Sequence, residues 1–203
     1  MALAGRHQEG HLADITIARL TITLDGIAPV VSRTLKVPTD IRFEKLHLVM
    51  QGAMGWENCH LYEFTAGQAR WSLPDPDFST DTLPLAKARL ADVIDVAGTT
   101  PIRYVYDFGD HWVHLIEATI IGDPIPANLY PRLLDVIGKC PPEDVGGLTG
   151  YENFLSAINN PKHPDHEELT VWAGEPFDPH VPDADELRFD VLRLARKWKR
   201  RTT

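Results

Sequence analysis

The chain has 203 residues, of which 43% are apolar and 24% charged, and its formal net charge is −9. That size and balance suit one globular domain with a real core, and the acidic excess excludes a broad phosphate-binding surface, which needs surplus Lys and Arg. Two cysteines, Cys59 and Cys140, are too few for a disulfide framework, and no apolar run approaches the roughly 20 residues of a membrane helix.

Residues 1–10 lack the basic start and apolar run of a secretory leader, so reduced thiols and a cytoplasmic location are expected. Ile15 to Leu24 is rich in β-branched residues and reads as a strand whose phase slips once, near Ala18-Arg19, as at a bulge. Asp25-Gly26 is a turn signal, Val30 to Val37 reads as the returning strand, and Pro38 closes it. A helix capped by Thr39 or Asp40 is expected to run to about Met54, burying Phe43, Leu46, Val49 or Met50, and Ala53, with its end near Gly52 or Gly55.

His60 to Phe64 alternates as a half-buried strand, Ala66-Gly67 turns, and Ala69 to Leu73 returns. Pro74 to Asp77 is loop by composition. Asp81 or Thr82 caps the next expected helix, with Pro84 in its first turn, Leu85, Leu90, Val93, Ile94 and Ala97 on its apolar side, and Gly98 at its end. A hairpin follows from Ile102 to Ile121, then a strand from Arg132 to Ile137. Short helices are expected from about Tyr151 to Asn159 and from Pro164 to Trp172. Gly174 to Pro182 is a proline-rich loop. A last amphipathic helix, capped by Asp183 or Asp185, sets Leu187, Val191, Leu194 and Trp198 on one face. Strands and helices do not alternate strictly, so the expectation is a single α+β domain with a mostly antiparallel sheet. Its core spans about 12–180, and residues 183–203 form the basic helix.

Two clusters are dense in chemistry-bearing residues: Tyr104 to His114, and Cys140 to Tyr151. Gly109-Asp110 reads as a two-residue hairpin loop, which would pair Phe108 with His111. One face would then carry Tyr106 opposite Val113 and Tyr104 opposite Leu115. The other would carry Asp107 opposite Trp112 and Val105 opposite His114, leaving Asp107 and His114 as diagonal neighbours. A carboxylate beside an imidazole can fix its tautomer or help to hold a metal. Equally, Asp107 can simply cap the turn. Pro141-Pro142-Glu143-Asp144 is stiff and Gly146-Gly147 is permissive, an arrangement able to present two acids into a cleft or only to cover the sheet. The acidic pair favours a cation or basic partner over phosphate.

His60, Cys140, His163, Asp165, His166 and Glu167 are possible ligands, but no paired-cysteine zinc spacing or HExxH helix is present. A Walker loop, GxGxxG and GxSxG are also absent. These residues leave the cofactor open, with His60, Asp107, His114 and Asp144 as the candidates for a metal.

The chain resembles the plasmid pRiA ORF-three-like proteins, also called the TnpR passenger-protein family of an insertion element. The resemblance is carried by Tyr106-Asp107-Phe108-Gly109-Asp110 with Trp112 and His114, and by Pro141 to Gly147 with Gly150-Tyr151. Gly55-Trp56, His60 to Phe64, and Phe177-Asp178-Pro179 also fit. It implies an α+β fold from bacteria and archaea, found on plasmids and mobile elements, without an established activity. Resolvase chemistry is not implied, because Ser32-Arg33 lies inside an expected strand with no arginine cluster around it.

The favoured functional reading is a non-enzymatic binding module. Its acidic–aromatic groove would be built from Asp107, Asp110, Trp112, His114, Glu143, Asp144, Gly146, Gly147 and Tyr151, and would receive a protein or basic peptide. One alternative is a metal-dependent hydrolase using His60, Asp107, His114 and Asp144. The other is a DNA-binding accessory protein acting through Arg193, Arg196, Lys197, Lys199, Arg200 and Arg201.

Overall fold

A computed structural model of the protein describes residues 15–73 and 82–199. Strand β1 (Ile17–Leu24) buries alternate residues, and its register against a later strand shifts between Ile17 and Ala18, so both side chains there face inward. This is the expected slip, one residue early. β1 pairs with β2 (Ser32–Pro38) across the Asp25-Gly26 turn, matching Leu20 with Leu35 and Ile22 with Arg33.

Helix α1 (Phe43–Met54) starts later than expected, and neither Thr39 nor Asp40 caps it. Residues 39–42, a turn followed by an isolated bridge at Arg42, are instead hydrogen-bonded to residues 88–91. Phe43 N donates to Ala88 O, Leu90 N to Ile41 O, and Ala91 N to Thr39 O. The same ladder delays the second helix. Leu83–Pro84 forms a short parallel strand, β5, beside β4 (Ala69–Ser72), and Leu85–Lys87 make one 3-10 turn. Helix α2 spans only Leu90–Ala97. Asp81 lies outside the described residues. Gly55 ends α1 in the left-handed region (φ +84°), its N–H returning to Gln51 O.

The remaining elements are β3 (Tyr62–Ala66), β6 (Ile102–Tyr106), β7 (Trp112–Gly122), β8 (Arg132–Ile137), α3 (Gly147–Ile158), α4 (His166–Ala173) and α5 (Ala184–Lys199). α3 begins at Gly147 rather than near Tyr151. The eight strands form one sheet in the order β5-β4-β3-β6-β7-β1-β2-β8, antiparallel except at β4–β5. The α+β class with a mostly antiparallel sheet is therefore as expected. α1 lays its buried stripe on the sheet, with the Phe43 ring 4.3 Å from Phe64 and 5.5 Å from Trp71. α5 packs on α1 and β8 and buries Leu187, Val191 and Ala195, so it belongs to the core rather than trailing from it. Among the described residues, no helix is long and apolar enough to cross a membrane.

The β6–β7 hairpin departs from expectation by one residue. Tyr104 pairs with His114 and Tyr106 with Trp112. The loop is five residues long, because Asp107 leaves the ladder in a left-handed conformation (φ +56°) and His111 re-enters through another (φ +57°). Asp107 N donates outward to Leu61 O, its Oδ1 accepts from Gly109 N, and its carbonyl accepts from His111 N. A one-residue change in register moves every side chain to the opposite face. Trp112 and His114 therefore join the tyrosines in the core, and the diagonal Asp107–His114 pairing does not form.

That face carries a buried polar layer. The His47 ring stacks on Tyr62 at 3.5 Å and 4°, its Nδ1 meets Tyr104 Oη at 2.7 Å, and its Nε2 meets Asn58 Oδ1. Gln51 Nε2 donates to Tyr104 Oη at 3.0 Å, and Asn58 N donates to Gln51 Oε1 at 3.0 Å. His114 Nδ1 lies 3.3 Å from Tyr104 O. Arg33, also buried, ties three segments together. Its Nε donates to Ala53 O at 2.7 Å, Nη1 to Ser32 O and Ile137 O, and Nη2 to the Cys140 sulfur.

Two outcomes follow from these buried groups. Arg33→Ala leaves three carbonyls short of a donor and opens a void, so it is expected to destabilise the fold by about 3 kcal/mol or more in urea denaturation. Burial lowers both His47 and His114 to about 4, below the ordinary value of about 6.5. Between those values the unfolded chain binds the extra protons. Stability is then full above pH about 6.5 and falls toward pH 4, by about 3 kcal/mol per histidine. The urea midpoint should drop on acidification through this window, and less steeply in His47→Gln.

Candidate functional site

Three loops meet beside the end of β6. The first is Glu57 to His60, which follows the Gly55 stop of α1 and precedes β3. The second is the hairpin loop at Asp107. The third is Glu143-Asp144, delivered by the stiff Pro141-Pro142 pair after β8. Trp56 joins the first and third loops, since its Nε1 donates to Pro141 O at 3.0 Å and its ring stacks on Tyr106 at 5.0 Å and 22°.

His60 is the centre of the convergence. Its Nε2 lies 3.0 Å from Asp144 Oδ1, 3.6 Å from Asp107 Oδ2 and 3.9 Å from Glu143 Oε2. Its ring meets Tyr106 edge-on at 5.7 Å. Glu143 is oriented through its other oxygen, which accepts from Glu57 N at 2.8 Å and from the Tyr106 hydroxyl at 3.0 Å. Burial pushes the Glu143 carboxyl above its ordinary value, and the Asp144 charge adds to that effect against the lowering by Glu57 N, Tyr106 and His60. Cys59 N donates to the same Tyr106 oxygen at 3.1 Å. Ligand atoms of His60, Asp107 and Asp144 all lie within 4.8 Å of one another, as do those of Cys59, His60 and Glu143.

The glycine loop holds this arrangement shut from behind. Gly146 N donates to Asp110 Oδ2 at 3.1 Å. A Cβ on Gly147 would stand 2.6 Å from Asp110 O, so only glycine lets the two loops approach so closely. Asp110, Gly146 and Gly147 thus meet at the loop–loop contact.

The other expected site residues are placed differently. Trp112 and Tyr151 are 1% exposed and His114 is fully buried, so none of the three offers an exposed groove wall. Cys140 is buried beside Arg33 and Met54, and desolvation raises its thiol to about 11. His166 Nδ1 bonds to Ala157 O at 2.7 Å, and His163 Nδ1 accepts from Asp165 N, so both serve the α3–α4 connection. On α5, Arg193, Arg196, Lys197 and Lys199 are exposed, with Arg193 paired to Asp190 at 3.3 Å. Arg200 and Arg201 lie outside the described residues.

A cleft of about 680 Å³ opens from the Glu143-Asp144 segment. Its walls are the end of α1, the Lys139 to Asp144 segment, Trp172 to Phe177 and the first turns of α5. Sequence reasoning missed Trp56, Glu57, Trp172, Phe177 and Glu186 as cleft residues. The Gly55-Trp56 pair at a helix stop and the Phe177-Asp178-Pro179 motif were the local signals available.

A model of the plasmid pRiA4b ORF-3-like protein family matches residues 16–186. An uncharacterized protein of Sinorhizobium fredii (strain NBRC 101917 / NGR234), y4hQ, is 39% identical over 189 residues, covering 92% of this chain and 96% of its own. The crystal structure of MM3350 from Methanosarcina mazei Go1, a protein of unknown function, superposes with a TM-score of 0.77 at 27% identity, covering 85% of this chain and 98% of that one. The match over 16–186 takes in both motif-bearing loops and every strand of the sheet, and the chain belongs to the plasmid pRiA4b ORF-3-like protein family.

Proposed function

We propose that the chain is a cytoplasmic binding protein whose acidic–aromatic cleft receives a Lys- and Arg-bearing segment of a partner protein. The observation that carries this reading is the lining of the 680 Å³ cleft. Glu57, Glu143, Asp144, Glu175, Glu186 and Asp190 contribute carboxylates to it. The cations on its wall are already engaged, since Arg33 is buried among carbonyls and Lys139 pairs with Asp183 at 2.9 Å. Trp172, 46% exposed, supplies aromatic surface beside the acids, and Phe177, whose ring already carries Lys139 Nζ at 5.6 Å, lines the same wall.

Such a wall selects cationic side chains twice, through charge and through the faces of the rings. The groove first expected at Trp112, His114 and Tyr151 is thereby moved outward to Trp172 and Phe177, and it keeps Glu143 and Asp144. The free thiols of Cys59 and Cys140 suit a reducing compartment.

Fluorescence anisotropy with a short labelled arginine-rich peptide tests the reading. Saturable binding that weakens steeply with salt is expected, with a loss of about tenfold, or roughly 1.4 kcal/mol, in Glu175→Gln with Glu186→Gln and again in Trp172→Ala. Equal binding of an acidic peptide of the same length, or indifference to these substitutions, would overturn it.

A further inference from the structure

The His60 cluster carries an inference that does not depend on the cleft's partner. We propose that His60 Nε2, Asp107 Oδ2 and Asp144 Oδ1 bind one divalent transition-metal ion of the zinc class, with Glu143 Oε2 beside it. Ligands about 2.0–2.2 Å from a shared metal, at the angles of tetrahedral or octahedral sites, lie about 2.8–3.6 Å from one another. From His60 Nε2 the Asp144 and Asp107 oxygens, at 3.0 and 3.6 Å, stand within that range and the Glu143 oxygen at 3.9 Å just beyond it, and the ligand atoms of His60, Asp107 and Asp144 all lie within 4.8 Å of one another.

An independent observation points the same way. His60 Nε2 is buried and makes no hydrogen bond, although Asp144 Oδ1 is only 3.0 Å distant. The oxygen therefore sits off the axis of the ring nitrogen. An imidazolium N–H pairing with a carboxylate would place the oxygen along that axis. Two cis ligands of one metal likewise lie close together without hydrogen-bonding to each other.

The carboxylates are prepared for the role by their second oxygens. Asp107, its side chain nine-tenths buried, spends Oδ1 on Gly109 N and turns Oδ2 toward His60. Glu143 spends Oε1 on Glu57 N and Tyr106 and turns Oε2 the same way. Outer partners that fix a ligand's orientation in this manner are a regular part of metal sites. The mixed imidazole and carboxylate set suits zinc or manganese, whereas magnesium and calcium prefer oxygen throughout. His114, weighed as a ligand on the sequence, is excluded by its place in the core. Cys59 belongs to a second trio with His60 and Glu143 and is not needed for this one.

The test uses the full chain stripped with a chelator, then titrated with Zn²⁺ against a chromophoric competitor. One tight equivalent is expected, with affinity falling by about a hundredfold or more in His60→Ala and in Asp107→Asn, and little changed in Cys59→Ser. Because Asp107 is buried, Asp144→Asn, whose side chain is 69% exposed, provides a loss of affinity that unfolding does not explain. Co²⁺ in place of Zn²⁺ should give visible absorption bands that disappear in His60→Ala. Absence of saturable Zn²⁺ binding by the wild-type chain, or equally tight binding by His60→Ala through the chain's other histidines, would overturn the proposal.

Discussion

The pairing of Tyr104 with His114 governs the whole region around the site. In an antiparallel ladder, directly opposed residues share a face, so this one match sends Tyr104, Tyr106, Trp112 and His114 together into the core. The tyrosine hydroxyls then need partners in a place water does not reach. Tyr104 finds His47 and Gln51 on α1, while Tyr106 finds Cys59 N and Glu143. A buried hydroxyl left unsatisfied costs about 1–3 kcal/mol, which ties the loop after α1 and the loop after β8 to the same two strands. The carboxylates around His60 are oriented by groups that the hairpin register has already fixed.

Charge is distributed so that opposite demands are met on either side of one wall. Inside, Arg33 has no carboxylate partner among the described residues and is held by carbonyl oxygens and the Cys140 sulfur, which is tolerable because the guanidinium's donors are nearly all used. Outside, Asp107, Glu143 and Asp144 crowd a single imidazole, and further acids continue along the cleft. The three acids around His60 have that single imidazole as their basic partner among the described residues, and the positive-φ backbone at Asp107 and Asp144 adds conformational cost at both positions. Such concentrations of cost in one place are characteristic of sites selected for something other than stability.

Much of the fold could be read from local pattern. The β-branched run at Ile17–Leu24, the Asp25-Gly26 turn, the buried stripe of α1 and its Gly55 stop each announce themselves within a few residues. The starts of α1 and α2 could not be read, because residues 39–42 and 88–91 hydrogen-bond to each other around the Arg42–Arg89 bridge and neither stretch reveals its partner. The hairpin register was misjudged because Gly109-Asp110 is a good two-residue loop in isolation. Asp107, paired backward to Leu61, removes itself from the ladder and lengthens the loop to five. Glu143 and Asp144 were legible as a presented pair from the proline stiffness before them and the glycines after. His60 carried little signal, since nothing nearby in sequence says that two distant acids will stand beside it. Trp172 and Phe177 likewise gain their meaning only from the approach of α5.

The sheet order has a consequence for how the chain reaches this state. β1 precedes the other described strands in the chain, yet it sits deep in the sheet with β2 on one side and β7 on the other. Its second edge stays open until the chain has passed His114, and closing that long loop carries an entropic cost that local contacts cannot offset in advance. Topologies dominated by such distant pairings fold slowly. Until β7 arrives, an early β1–β2 hairpin presents an apolar face and an unpaired edge of N–H and carbonyl groups, the kind of surface that chaperones hold and other nascent strands capture.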